Sequence, residues 1–102
     1  MRDLYHPRLE DVGLAHVLHA LSDPVRLEIV RELSVRGEIA CSSLQSAVTK
    51  STMSHHYKVL REAGLTHTRA SGTQRLVSLR QREVEERFPG LLGSILHAAK
   101  AA

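Results

Sequence analysis

Apolar residues recur every three or four positions through much of the first 63 residues of this chain. That spacing puts them on one side of an α-helix, and it therefore predicts helices rather than strands. Local start and stop signals, such as Asp23-Pro24 before the second helix and Gly37 after it, set the bounds. The predicted helices cover 9–21, 24–36, a brief stretch that opens at Ser42 or Ser43 and includes Leu44 and Val48, and about 50–63.

The period shortens to two residues after Gly64. Two β-prone runs, 65–70 and 74–79, are joined by a short link that contains Gly72, and this arrangement is a hairpin signal. Residues 38–40 are a candidate for a very short strand, and a last helix over about 90–100 follows Pro89-Gly90. The pattern predicts one mainly α domain with a small β-hairpin (α+β), in which a helix-turn-helix precedes a two-stranded wing over about 65–79.

The helix predicted over about 50–63 has two contrasting faces. Met53, Tyr57 and Leu60 recur at i, i+4 and i+7, so they should point into a core. Thr49 is a candidate N-cap, and Gly64 stands where a left-handed residue usually ends a helix. Small polar residues near the start and cations further along suit a helix that enters a DNA major groove, although an ordinary amphipathic surface helix is the alternative. The opposite face carries Ser51, Ser54, His55, Lys58 and Arg61.

The first and last helices carry more apolar surface than one core requires. A domain of 102 residues is small, and surplus apolar faces on such a domain are expected to pair with a second copy. We therefore predict a homodimer through the helices over about 9–21 and 90–100. The residues concerned are Leu14, Val17, Leu18 and Leu21 on one side of the first helix, Leu9, Val12 and His16 near the other, and Leu91, Leu92, Ile95 and Leu96 in the last helix.

Positive charge is concentrated in the middle of the chain. The net charge is only +3, but residues 49–82 contain seven Lys or Arg against one acid, Glu62. Such a localised excess is typical of nucleic-acid binding, whereas a merely solvated surface usually mixes the two signs. No apolar run is long enough to span a membrane. The single cysteine, Cys41, excludes an intrachain disulfide and fits a reducing cytoplasm.

Two segments carry a family resemblance: Ala-Leu-Ser-Asp-Pro-Val-Arg-Leu-Glu-Ile-Val at 20–30 and Ser-Thr-Met-Ser-His-His-Tyr-Lys-Val-Leu-Arg-Glu-Ala-Gly-Leu at 51–65. In this order and spacing they resemble the ArsR-type winged helix-turn-helix repressors, over about Leu18 to Leu79. The resemblance implies a homodimer formed by the first and last helices. It also implies a repressor that binds a palindromic promoter site in double-stranded DNA and leaves it when a signal arrives.

The resemblance also assigns DNA contacts. An inverted repeat with half-sites about one helical turn apart is expected for a two-fold dimer. His56 is turned by about 100° from His55 and is expected to pack instead. The base-reading positions are Ser51, Thr52, Ser54 and His55. Phosphate or wing contacts are expected from Lys50, Lys58, Arg61, Arg69 and Arg75.

The sensor, if there is one, is not fixed by the sequence. The family's Cys-x-Cys site would fall on Ala40 and Ser42, with Cys41 between them, and a single thiolate does not make that soft-metal site. A redox role for Cys41 would need a thiol from the other subunit. An organic ligand, a partner protein and no ligand at all stay open. Candidate ligands for nickel, cobalt or zinc are His6, His16, His19, Glu86 and His97.

Two other functional classes are less consistent with this chain. The signatures that would indicate an enzyme, namely a glycine-rich phosphate loop, a Cys-x-x-Cys, a His-Glu-x-x-His or an acid that orients an imidazole as in a triad, are absent from the sequence. Ser54, His55 and His56 are neighbours on a helix and point in different directions. A winged-helix module for protein interaction without DNA binding would have little use for the positive charge of residues 49–82.

Overall fold

The computed structural model describes residues 4–43 and 49–101, so most of the predicted brief third helix, with Leu44 and Val48, lies outside the described residues. The described residues form five α-helices and a three-stranded antiparallel sheet, which confirms the predicted α+β class. Single 3-10 turns cover Leu9–Asp11 and Cys41–Ser43. The helices are α1 (Leu14–Leu21), α2 (Pro24–Arg36), α3 (Lys50–Glu62), α4 (Gln81–Arg87) and α5 (Leu91–Ala101), and the strands are β1 (Ile39–Ala40), β2 (Thr66–Ser71) and β3 (Gln74–Leu79).

The first helix is shorter than predicted. The prediction of one helix over 9–21 is wrong, because Leu9–Asp11 form only a 3-10 turn and Gly13 is extended, with φ −83° and ψ 153°. Glycine is a poor helix former, and the break lets the chain change direction before α1. Leu9 and Val12 are consequently buried in the core rather than forming a second apolar face of the helix.

Residues 4–12 lie across the body of the domain and are held there by arginines. Arg80 donates from Nη1 to the Pro7 carbonyl at 2.7 Å. Arg87, on α4, donates to the carbonyls of Leu9 and Val12, both at 3.2 Å. The arginines therefore hold the segment through its backbone carbonyls, in addition to the burial of Leu9 and Val12.

The bounds of α2 follow the predicted signals. The Asp23 carboxylate accepts hydrogen bonds from the backbone N–H groups of Val25 at 2.8 Å and Arg26 at 3.1 Å, which is an N-cap followed by proline at the first helical position. Gly37 ends the helix with a positive φ of 79°.

The sheet has the strand order β1-β3-β2, so the short strand predicted at 38–40 is present and lies at the edge away from β2. Ile39 pairs with Val77, and Ser71 pairs with Gln74 across the two-residue turn of the hairpin. Gly72 is the first residue of this turn and has a positive φ of 61°, whereas Thr73, the second, does not have a positive φ. This combination is that of a type II′ turn.

The core is built where the helices meet the inner face of the sheet. The largest fully buried side chains are Val17, Val30, Leu33, Leu60, Leu65, Thr66, Val77 and Val84. Within 91–100, the part of α5 whose burial is described, only Leu92 is buried, while Leu91, Ile95 and Leu96 are half-buried. In α1 the side chains of Leu14 and Leu18 are 47% and 43% exposed. Among the described helices, none combines the length and apolarity required to cross a membrane.

Candidate nucleic-acid interface

Both ends of α3 are fixed by its own sequence. Thr49 caps the start, and its hydroxyl oxygen accepts the backbone N–H of Thr52 at 3.3 Å. At the other end Gly64 has φ 77°, its N–H donates to the Arg61 carbonyl at 3.0 Å, and the Leu65 N–H donates to the Leu60 carbonyl at 3.1 Å. This pair of bonds is a Schellman motif, which uses the carbonyls that the helix leaves free. The predicted cap and stop are confirmed.

The predicted two faces of α3 are present. Met53, Tyr57 and Leu60 are buried against the body of the domain. The other side of the helix is open to solvent, and it holds all four predicted base-reading side chains together with two lysines. These exposed residues are Lys50, Ser51, Thr52, Ser54, His55 and Lys58.

Arg61 lies differently from what the sequence led us to expect. It is half-buried, and its Nε is buried with no hydrogen-bond partner among the described residues. His6 of the N-terminal segment is close enough for the Arg61 charge to contribute to lowering the pKa of that imidazole. The N-terminal segment packs beside the C-terminal end of α3, where Val12 and Leu9 lie close to Gly64, and its local sequence gave no sign of this.

The two wing arginines are in different environments. Arg69 makes two hydrogen bonds to the Glu38 carboxylate, at 2.9 and 2.7 Å, and this pairing lowers the pKa of Glu38. Arg75 is exposed and has no ion pair among the described residues. Glu38 precedes β1, which pairs with β3, so the partner of Arg69 comes from 31 residues away and was not foreseen.

Carboxylates from outside residues 49–82 neutralise part of the basic region. Arg80 pairs with Glu83 at 2.7 Å, and Arg82 pairs with Glu86 at 3.3 Å. Together with Arg69, three of the seven cations are therefore in ion pairs. The exposed cations without an ion pair in the described part of the chain are Lys50, Lys58 and Arg75. The positive surface is accordingly narrower than the sequence count suggested.

Comparison with known proteins agrees with this geometry. A family model described as a helix-turn-helix domain matches residues 21–69. The HTH-type transcriptional regulator YceK of Bacillus subtilis (strain 168) is 42% identical over 89 residues, which are 84% of this chain and 89% of the relative. The crystal structure of the transcriptional repressor BigR from Xylella fastidiosa is 31% identical and covers 83% of this chain and 84% of its own, with a TM-score of 0.66. The arsenical resistance operon repressor of Staphylococcus xylosus is 39% identical over 65% of this chain and 64% of its own length.

The chain belongs to the ArsR-type family of winged helix-turn-helix regulators. It is a DNA-binding transcriptional regulator, and its family and fold are those of regulators rather than of enzymes. The comparisons do not favour the alternative of an interaction module without DNA binding.

The expectation that His56 packs inside the domain is confirmed in this ArsR-type regulator. His56 is only 7% exposed, and its Nδ1 lies 3.2 Å from Nη1 of Arg26, which is itself 8% exposed. Arg26 belongs to α2, so the contact joins α2 to α3. The importance of Arg26 was missed at the sequence level, where it is one of many exposed-looking arginines.

His6 does not stand free as a metal ligand. Its Nε2 accepts the backbone N–H of Thr68 at 3.0 Å, and its ring stacks on that of His67 with centroids 4.3 Å apart. Burial, and next the nearby His67, lower the pKa of His6. With Nε2 occupied as an acceptor, the ring is held neutral and ties the N-terminal segment to the wing.

The other candidate metal ligands are not gathered into a site within one chain. Residues 4–43 and 49–101 contain no group of three or more His, Cys, Asp or Glu side chains that could hold a metal. Glu86 is paired with Arg82. Cys41 is half-buried, and burial raises the pKa of its thiol, which opposes the thiolate that a soft metal requires. With Ala40 and Ser42 on either side, the residues present do not fit the thiolate site. The remaining candidates, His16, His19 and His97, are exposed.

Proposed function

We propose that this regulator acts in the cytoplasm as a homodimeric repressor that binds an inverted repeat in promoter DNA. The observation that carries the proposal is the exposed face of α3. Small polar side chains lie near the N-terminus of this face, and Lys58 follows them. The opposite face of the helix consists of three buried apolar residues. Small side chains allow close approach to base edges, and the lysines suit phosphates. Relatives that are named as repressors support the direction of regulation.

The partly exposed apolar residues of α1 and α5 support the dimer. Leu14 and Leu18 are each almost half exposed, and Leu91, Ile95 and Leu96 are incompletely buried. A second copy that covered these side chains would remove apolar surface from water on both chains. Two-fold symmetry then sets the half-sites about 34 Å apart, or one helical turn.

The proposed contacts fall into two groups. Ser51, Thr52, Ser54 and His55 read bases, and Lys50, Lys58 and Arg75 neutralise phosphates. Arg61 would have to leave its half-buried position to reach a phosphate. Arg69 would have to exchange Glu38 for DNA.

Fluorescence anisotropy with DNA from upstream of the protein's own gene, and with scrambled DNA, tests this assignment. Lys58→Ala should weaken binding to both DNAs and lower the salt slope by about 0.9 for each phosphate contact removed. Ser54→Ala and His55→Ala should instead reduce the preference for upstream DNA over scrambled DNA. Footprinting should show two half-sites in inverted repeat, and a single half-site would contradict the proposed dimer.

A nickel-, cobalt- or zinc-responsive function is a second candidate. It is supported by exposed imidazoles on the two proposed dimer helices, namely His16 and His19 on α1 and His97 on α5. Imidazole is a good ligand for these metals. The same titration in a chelator and then with each metal tests it. A change in affinity of at least about tenfold, or about 1.4 kcal/mol of coupling, is expected of a sensor.

A further inference from the structure

The Arg26 side chain connects three helices through one buried guanidinium. Its Nε donates to the Ala20 carbonyl at 2.7 Å, and its Nη2 approaches the His19 carbonyl at 3.5 Å. Both carbonyls belong to the last turn of α1, where a cation is favoured by the helix dipole. The His19 carbonyl also accepts hydrogen bonds from Ser22, at 3.1 Å from its N–H and 2.6 Å from its hydroxyl. The remaining direction of the guanidinium, Nη1, is aimed at His56 on α3.

The direction of the hydrogen bond between Arg26 and His56 is fixed by chemistry. Arginine has only donors, so His56 Nδ1 must be the acceptor and the ring proton must lie on Nε2. This requires a neutral imidazole. The Asp23 carboxylate, whose Oδ2 is 3.8 Å from His56 Nδ1, supplies negative charge near the buried guanidinium of Arg26.

His56 follows His55 directly in the N-terminal half of α3. The two side chains therefore point about 100° apart, one into the Arg26 contact and one into solvent. A rotation of α3 by about 15° would move a side-chain tip roughly 6 Å from the helix axis by about 1.5 Å. That displacement exceeds the variation of about 0.5 Å over which a hydrogen bond to a base edge is retained.

We propose that His56, held by Arg26, is a positioning residue for DNA recognition: it fixes the rotation of α3 so that Ser54 and His55 face the base edges. The inference rests on the proposed function of α3 as the recognition helix. Arg26 in turn ties that rotation to the end of α1, which is one of the two helices proposed to form the dimer. His56 itself does not touch DNA.

The test compares His56→Leu with His56→Asn in the full-length protein. Leucine has a comparable size but no acceptor, whereas the Oδ1 of asparagine can take the place of Nδ1. His56→Leu should reduce the ratio of affinities for upstream and scrambled DNA by about tenfold or more, which is what the loss of roughly one base contact costs. Its affinity for scrambled DNA should stay within about twofold, because the long, flexible lysine side chains of α3 can follow so small a rotation and keep their phosphates. His56→Asn should restore the ratio to within about threefold of wild type.

Tyr57→Phe is the matched control. It also removes one hydrogen bond between α3 and the body of the domain, from the Tyr57 hydroxyl to the Cys41 carbonyl at 3.2 Å, but it leaves Arg26 untouched. The ratio of affinities should be unchanged in this variant. Arg26→Lys provides a second test if His56→Leu is unfolded at the assay temperature, because one ammonium group cannot serve α1 and α3 together. It should show the same selective loss, and circular dichroism establishes that each variant is folded.

Three outcomes would overturn the inference. An unchanged ratio in folded His56→Leu would show that the contact does not position α3. Equal losses in the leucine and asparagine variants would show that the Nδ1 acceptor is not what matters. An equal loss in Tyr57→Phe would show that any loosening of α3 has this effect. If wild type itself failed to distinguish upstream from scrambled DNA, the proposed function would fail instead, and the two failures are therefore distinguishable.

Discussion

Replacement of Gly64 by alanine should destabilise the domain more than backbone strain alone explains. Gly64 has φ 77°, in the left-handed region, where a Cβ costs about 1–2 kcal/mol. A Cβ built there would also lie 3.2 Å from Cγ2 of Val12 and 3.3 Å from Cδ1 of Leu9. Those distances are shorter than ordinary carbon contacts. Overpacking of a buried site typically costs about 1–3 kcal/mol more. We expect a total loss of about 2–5 kcal/mol in the free energy of unfolding.

Urea denaturation of Gly64→Ala, Val12→Ala and the double variant, at one protein concentration, separates the two contributions. Val12→Ala removes the nearest atom, so the cost of Gly64→Ala should fall by at least about 0.5 kcal/mol in that background. Additivity within about 0.3 kcal/mol would refute the claim that Val12 crowds this site. A total cost for Gly64→Ala below about 1 kcal/mol would refute the left-handed strain as well.

Three further predictions concern the wing, the N-terminal segment and the proposed dimer. Glu38→Gln should release Arg69, so DNA binding should tighten and its salt slope should steepen by up to about 0.9 for each wing, with no such change when Arg69 is already alanine. The pKa of His6 in the folded chain is below the ordinary value of 6.5. As the pH falls below 6.5, His6 is therefore protonated in the unfolded chain before it is protonated in the folded chain. The free energy of unfolding measured in urea should therefore include the full contribution of His6 above pH 6.5 and lose it as the pH falls through the lowered pKa. His6→Gln, which keeps an acceptor for the N–H of Thr68, should lose less stability over the same pH range. Leu18→Glu should give monomers by analytical ultracentrifugation at concentrations where wild type is dimeric, and an unchanged dimer would exclude this part of α1 from the interface.

The sequence predicted best the features that depend on neighbouring residues. Thr49 and Gly64 set the bounds of α3, as Asp23-Pro24 and Gly37 set those of α2. Capping and left-handed residues act within one turn of the chain, so their effect can be inferred without the fold. The exposed and buried faces of α3 followed from the helical period for the same reason.

Features that depend on distant residues were not predictable in this way. The partner of Arg69 is 31 residues away, Arg26 meets a histidine 30 residues along the chain, and His6 accepts the N–H of Thr68, 62 residues away. The break at Gly13 has the same origin, because Leu9 and Val12, which precede it, pack beside Gly64, about 50 residues further along the chain. Because Arg69, Arg80 and Arg82 pair with carboxylates from outside residues 49–82, counting charges along the chain overestimated the number of cations that are available to DNA.

The anchoring of the N-terminal segment through its carbonyls has a consequence for how this region can vary between species. Arg80 and Arg87 hold the backbone oxygens of Pro7, Leu9 and Val12, and every amino acid supplies such an oxygen. Substitutions at the exposed positions between these anchors leave the attachment intact, whereas loss of Arg80 releases the Pro7 carbonyl and loss of Arg87 releases those of Leu9 and Val12 together. We therefore expect relatives to diverge freely at those exposed positions while the two arginines are retained.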